Sequence, residues 1–128
     1  METRYDSTTG LPTELSSNLT GVGQYVIGQD YTRYGEPTLT TRQTDSDLYV
    51  QDDTYYDSVT RRVTRTKVKP ETATGTVNDT SYSYDAAGNI TSIADTPQVG
   101  VADTQCFRYD ELRRMRVWAK WRAKRGGL

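Results

Sequence analysis

Histidine is absent from the 128-residue chain, and only one cysteine, Cys106, is present. Without histidine, Ser-His-Asp and Cys-His catalysis and His-ligated metal sites are excluded. A single cysteine cannot form a disulfide within the chain. No apolar run approaches the ~18 residues of a transmembrane helix, and the opening METRYDSTTG lacks the apolar segment of a signal peptide. These absences predict a protein that is not an enzyme and that uses no cofactor or metal.

Apolar residues are also scarce, at 34% of the chain, which is little for a self-sufficient hydrophobic core. Tyrosine supplies ten of the thirteen aromatic residues, and threonine is abundant throughout. Both residue types favour half-buried pleated sheets over helices. The composition therefore predicts an all-β fold.

The net charge of −1 conceals an uneven distribution. Residues 1–107 hold eight Lys/Arg against fifteen Asp/Glu, whereas residues 108–128 hold eight against two. We therefore divide the chain into a β region, 1–110, and a basic C-terminal tail, 111–128. Leu112, Met115 and Trp118 have helical spacing, which fits a short amphipathic helix. Such a helix can bind an anionic membrane or nucleic acid, although a solvated extension is the interpretation we favour.

The segment SYSYDAAGNITSIAD, residues 81–95, predicts a β-hairpin. Tyr82 and Tyr84 are two residues apart and would lie on the same face of a strand. Asp85 suits the start of a tight turn, Gly88 supplies the positive φ that the turn needs, and Asn89 begins the return strand.

The same pattern recurs in altered form along the chain. Residues 3–11 contain Tyr5, Asp6 and Gly10, and residues 54–66 contain Tyr56 and Asp57 without the glycine. Residues 31–40 repeat it with Gly35 in the aspartate position, and residues 106–115 repeat it with Phe107, Tyr109 and Asp110. Asp57, Asp85 and Asp110 are 28 and 25 residues apart, a period that is typical of repeat proteins.

The stretches YSYDAAGNIT (82–91) and FRYDELRRM (107–115) resemble the YD repeat of the RHS family. The resemblance extends more loosely over residues 1–115. It implies antiparallel hairpins in a strip that spirals into an extracellular or cell-surface shell, as in polymorphic toxins, teneurins and insecticidal toxin complexes. Implied partners are neighbouring repeats and a toxin payload or adhesive module.

Two features depart from the family pattern. The sequence contains no Asp-Pro, which accompanies self-cleavage after the last repeat of the family. Arg113 occupies the glycine position of the last repeat, and we therefore expect that turn to be altered.

Two further binding interpretations and one modification compete with the structural interpretation. Exposed tyrosines could bind carbohydrate, but cross-strand packing explains repeated aromatics without a ligand. The acidic segment 44–53, with Asp45, Asp47, Asp52 and Asp53, could attract calcium, but it does not match an EF-hand loop and is better explained as a solvated loop. The sequons at Asn18, Asn78 and Asn89 matter only in a eukaryotic secretory setting.

Overall fold

The computed structural model describes residues 1–19, 23–45 and 48–122, and within these ranges the chain forms strands and turns without a helix. The ten strands are β1 (Glu2–Tyr5), β2 (Pro12–Ser16), β3 (Gln24–Tyr31), β4 (Pro37–Asp45), β5 (Leu48–Tyr56), β6 (Val63–Pro70), β7 (Asn78–Tyr84), β8 (Ile90–Asp95), β9 (Asp103–Tyr109) and β10 (Met115–Arg122). The predicted all-β class and hairpin strip are confirmed.

All ten strands belong to one open antiparallel sheet, in which spatial order equals chain order. Each odd-numbered strand and the strand after it form a hairpin, and we number these hairpins 1 to 5. Their five turns lie along one edge of the sheet, which we call the turn edge. The connections between hairpins lie along the opposite edge.

The strip is one layer thick, and no hydrophobic side chain among the described residues is buried. The buried residues are Gly75, Thr76, Asp79 and Thr80, around the β6–β7 connection. There Gln98, from the β8–β9 connection, exchanges two hydrogen bonds with Thr76, at 3.0 and 3.2 Å. Polar contacts between neighbouring elements therefore take the place of a central apolar core.

The hairpin predicted over residues 81–95 is present, formed by β7 and β8. Neither the short helix considered for the basic tail nor the solvated extension that we favoured is found over residues 111–122, because Met115–Arg122 is strand β10 and pairs with β9. Tail residues 123–128 lie outside the described ranges. Tryptophan and valine suit strands, and β9 supplies an antiparallel partner, so pairing overrides the helical spacing.

Each hairpin contains a bulge directly after its turn. We call the tyrosine that ends the first strand of each hairpin the motif tyrosine. It pairs with the first residue of the return strand, and the register then shifts because the next residue of the return strand has no partner. In hairpins 1 to 4 the displaced residue is a threonine, namely Thr13, Thr38, Thr64 and Thr91. Bulges increase local twist, so we expect the twist of hairpins 1 to 4 to be greatest near this recurring threonine.

Candidate functional site at the hairpin turns

The aspartates of the motif close their own turns. In hairpin 4, Asp85 accepts hydrogen bonds at 2.8 Å from the Asn89 backbone N–H and from the Asn89 side chain. In hairpin 1, Asp6 accepts bonds from the Thr8 and Thr9 backbone N–H groups and the Thr9 hydroxyl. Asp57 accepts the equivalent set from Val59 and Thr60 in hairpin 3.

These hydrogen bonds stabilise the charged carboxylate and lower its pKa. The pKa of Asp85 is lowered chiefly by the Asn89 side chain, and the pKa of Asp6 chiefly by the Thr9 N–H. The Thr60 N–H lowers the pKa of Asp57, and the Arg114 N–H lowers that of Asp110. Each carboxylate is therefore engaged by its own turn.

Hairpin 2 belongs to the same series, but its assignment from sequence was wrong. The motif tyrosine is Tyr31, and Thr32 stands in the aspartate position, where its hydroxyl oxygen accepts from the Tyr34 and Glu36 N–H groups. Gly35 occupies the glycine position, with φ of 82°, rather than the aspartate position. The spacing of Tyr5, Tyr31 and Tyr56, at 26 and 25 residues, was the signal that could have found it.

All five turns have one residue with positive φ, which we call the αL residue. Three are glycines, with φ of 70° at Gly10, 82° at Gly35 and 91° at Gly88. The other two are Arg61 and Arg113, both with φ of 59°. The expected alteration of the last turn is therefore wrong, since Arg113 adopts the conformation itself and donates its N–H to the Asp110 carbonyl at 2.9 Å.

The turns fall into two lengths. In hairpins 1 and 3 the αL residue donates its N–H to a carbonyl four residues earlier, and in hairpins 2, 4 and 5 to one three residues earlier. The longer turns share the sequence Y-D-S-x-T, at residues 5–9 and 56–60. Arg61 in hairpin 3 therefore occupies the position that Gly10 occupies in hairpin 1.

Three of the motif tyrosines donate their hydroxyl groups to the preceding hairpin and not to their own turns. Tyr31 donates its hydroxyl to the Pro12 carbonyl at 2.5 Å, Tyr56 to Pro37 at 2.8 Å and Tyr84 to Val63 at 2.7 Å. Each acceptor is the first residue of the return strand in the preceding hairpin. We call the boundary between successive hairpins a joint, and each of these bonds crosses one.

The hydroxyl bonds lie where the backbone ladder between hairpins is missing. At the third joint, for example, pairing between β6 and β7 begins only at Arg65 and Ser81, so Val63 has no partner in β7. The Tyr84 hydroxyl satisfies the Val63 carbonyl in place of a strand. Among the described residues, Tyr109 makes no such bond at the fourth joint.

A second contact crosses the first three joints at the turn edge. It comes from the residue directly after each αL residue, which we call the trailing residue. Leu11 lies against Gly35, such that a Cβ added to that glycine would be 3.8 Å from Leu11 Cδ1. The Arg62 guanidinium lies against Gly88 so closely that an added Cβ would be 2.5 Å from Nη2. It also lies 5.5 Å from the centre of the Tyr84 ring.

At the second joint the trailing residue is Glu36 and the next αL residue is Arg61. The Arg61 guanidinium donates from Nε to Glu36 at 3.1 Å and from Nη2 to its other carboxylate oxygen. It also lies 4.7 Å from the Tyr34 ring centre. Arg61 lowers the pKa of Glu36, while burial, with the nearby Glu36 charge, raises the pKa of Tyr56.

The other candidate residues are dispersed. Tyr82 lies on the same face as Tyr84, opposite Ile93 on β8. In the acidic segment, Asp52 pairs with Arg42 at 2.7 Å, while the adjacent Asp53 points to the opposite face, opposite Lys67. Ser46 and Asp47 lie outside the described residues, as do Thr20 of the first sequon and the side chain of Asp45. Asp52 and Asp53 therefore cannot converge on one ion.

A cross-strand ion pair joins hairpins 3 and 4. Arg65 donates from Nε and Nη2 to the two carboxylate oxygens of Asp79, at 2.6 and 2.7 Å. Arg65 accordingly lowers the pKa of the Asp79 carboxyl. The pair is bidentate and fastens β6 to β7 on the face opposite Tyr84.

No protein-family model matches the chain, and no curated protein matches it in sequence. A chain in the crystal structure of TcdB2-TccC3-Cdc42 is similar in structure, with a TM-score of 0.75 and 20% identity. The match covers 89% of this chain and 6% of that one, so this chain spans a small part of the length of its structural neighbour. The likeness is one of fold, and that fold is RHS-like.

Proposed function

We propose that the chain is a non-enzymatic structural segment of an RHS/YD-repeat strip. It contributes to an extracellular or cell-surface wall that encases or presents a toxin or adhesive module. The observation that carries the proposal is the set of hydroxyl bonds from Tyr31, Tyr56 and Tyr84 to the preceding hairpin. The hydroxyl groups of the most recognisable side chains of the repeat are engaged in joining successive hairpins.

The single-layer architecture supports the same function. A sheet whose described residues include no buried apolar side chain gains its stability from neighbour to neighbour, as repeat proteins do. Neighbouring repeats are accordingly the first partners we propose, followed by a payload enclosed by the wall. The described residues include no helix long and apolar enough to cross a membrane.

A comparison of adjacent tyrosines tests the structural role. Tyr56→Phe removes the hydroxyl that donates to Pro37, and a typical net hydrogen bond contributes about 0.5–1.5 kcal/mol to the free energy of unfolding. Tyr55→Phe is the matched control, because Tyr55 is 43% exposed and its hydroxyl bonds no other described residue. Urea unfolding followed by circular dichroism should show the loss for Tyr56→Phe alone. Equal effects of the two substitutions would contradict the proposal.

Carbohydrate binding is the second candidate function, and one observation favours it. A groove of 390 Å³ opens at the second joint, lined by Thr32, Asp53, Tyr55, Tyr56 and Arg61 among others. Aromatic rings beside hydroxyl, carboxylate and guanidinium groups suit a sugar. A glycan array, followed by NMR titration of the tyrosine signals, tests this function. Unchanged Tyr55 and Tyr56 signals with every glycan would eliminate it.

A further inference from the structure

The two outer strands of the strip have free edges in the described chain. Strands β1 and β10 each pair with one neighbour only. Strand β10 is eight residues long and carries exposed large side chains, with Val117, Trp118 and Trp121 at 48, 57 and 73% exposure. A long edge strand of this kind offers unpaired backbone groups to another strand.

The internal joints define what an incoming hairpin must supply. At the first three joints it brings a tyrosine hydroxyl to the first residue of the preceding return strand, and an αL residue that contacts the preceding trailing residue. The backbone register is also regular. In three joints the residue two positions after the start of the return strand pairs with the residue three positions before the next motif tyrosine, namely Leu39 with Asp53, Arg65 with Ser81 and Ser92 with Cys106.

The two ends of the strip hold complementary halves of such a joint. At one end, Tyr5 is 64% exposed, its hydroxyl bonds no other described residue, and a Cβ on Gly10 would meet nothing within 4 Å. At the other end, Met115 begins the last return strand, and the trailing residue is Arg114, whose side chain is 66% exposed. Arg114 can lie on Gly10 of another copy as Arg62 lies on Gly88.

The charges of the two ends are also complementary. Residues 1–16 contain three acids and one arginine, whereas residues 103–122 contain six Lys/Arg and three acids. Pairing β10 with another β10 would bring like charges together, which is unfavourable across strands. Placing hairpin 5 beside hairpin 1 instead brings together segments of opposite net charge.

We infer that the chain associates with itself head to tail, with β10 of one copy bound to β1 of a second copy. Hairpin 1 of the second copy then follows hairpin 5 as each hairpin follows the one before it. Tyr5 donates to the Met115 carbonyl, and Glu2 lies opposite Val117. The two surfaces differ, so the contact is heterologous and leads to open chains or rings instead of a closed twofold dimer. The inference rests on the proposed structural function.

Disulfide trapping tests the register directly. In a Cys106→Ser background, Glu2→Cys and Val117→Cys are made in separate chains and mixed under mild oxidation. Paired antiparallel residues have Cα atoms about 4.5–5.5 Å apart, within the range of about 4.4–6.8 Å that a disulfide spans. We expect cross-linked dimers in the mixture and several times fewer when Thr3→Cys, one residue out of register, replaces Glu2→Cys.

Three outcomes would overturn the inference. These are dimers formed by Val117→Cys alone in preference to the mixture, equal cross-linking of the two registers, and no cross-linking at all. Sedimentation of the unsubstituted full chain adds an independent measurement. The mean mass should rise with protein concentration and fall with added salt, and Glu2→Lys should reduce the association more than the control Asp30→Lys, which changes the charge equally within an internal strand.

The two proposals fail in distinguishable ways. A chain of constant monomeric mass that retains its β-sheet spectrum and the Tyr56→Phe loss of stability would overturn self-association and leave the structural function standing. A chain in which Tyr56→Phe has no effect would contradict the structural function whatever its mass.

Discussion

Replacing Gly88 by alanine separates two roles of the αL glycine. Gly88 has φ of 91°, a conformation that disfavours side chains, and it also lies under the guanidinium of Arg62. Gly35→Ala is the matched control, because Gly35 has a similar φ of 82° but meets only Leu11 at an ordinary contact distance of 3.8 Å. The difference between the two substitutions therefore isolates the contact across the joint.

The expected magnitudes follow from these geometries. A non-glycine residue in the left-handed region costs about 1–2 kcal/mol, and both substitutions include that cost. At Gly88 the new Cβ also displaces Arg62 from its position near the Tyr84 ring, and a cation–π contact at an exposed site contributes about 0.5–1 kcal/mol. We therefore expect Gly88→Ala to destabilise the chain by about 1.5–3 kcal/mol, against about 1–2 kcal/mol for Gly35→Ala.

Urea unfolding monitored by circular dichroism measures both values, and a double-mutant cycle with Arg62→Ala measures the coupling. Once the Arg62 guanidinium is removed, Gly88→Ala should cost no more than Gly35→Ala. Contact across the joint would be refuted by additive effects of Arg62→Ala and Gly88→Ala, together with equal costs of the two glycine substitutions.

The remaining predictions concern the arginine turns and pH. Arg113→Gly should stabilise the chain by about 0.5–1 kcal/mol in thermal or urea unfolding, because it relieves the φ of 59° at some entropic cost, and destabilisation would show that the turn depends on the arginine. Arg61→Gly should be less favourable than Arg113→Gly, since it also loses the contacts with Glu36 and Tyr34; equal effects would show that those contacts do not contribute. The turn aspartates and Asp79 have pKa values below the ordinary 3.8, so their contribution to stability is present above that value and is lost as pH falls through the lower folded values. Melting temperatures followed from neutral pH into strong acid should decline in that window, and a flat profile would contradict the role of these carboxylates.

The sequence predicted the hairpins well where strand and turn chemistry agree. Residues 81–95 have two tyrosines in alternation, an aspartate and a glycine at turn spacing, and a β-branched return strand, and every one of these local signals favours the same structure. Hairpin 2 was assigned wrongly because Thr32 replaces the aspartate, and a hydroxyl can accept the same backbone hydrogen bonds. The sequence pattern was therefore aligned on the neighbouring Tyr34 instead of Tyr31.

Contacts across the joints could not be predicted from local pattern. The trailing residue and the next αL residue lie about one repeat apart in the chain, and the side-by-side pairing of successive hairpins brings them together. The conformation of Arg61 is of this kind, because Glu36 binds its guanidinium from the preceding hairpin. Strand β10 was missed for a related reason. A short segment can satisfy both the helical and the strand periodicity, and here pairing with β9 stabilises the strand.

The joints also indicate which residues must change together. Where the αL residue is glycine, the preceding trailing residue is a large side chain that covers it, as with Leu11 on Gly35 and Arg62 on Gly88. Where the αL residue is Arg61, the trailing residue is the carboxylate of Glu36. The trailing residue and the αL residue that must match it therefore belong to two successive hairpins. Replacing hairpin 2 by hairpin 4 would preserve the turn yet place Asn89 where Glu36 binds Arg61, so the second joint distinguishes hairpins that the repeat motif alone does not.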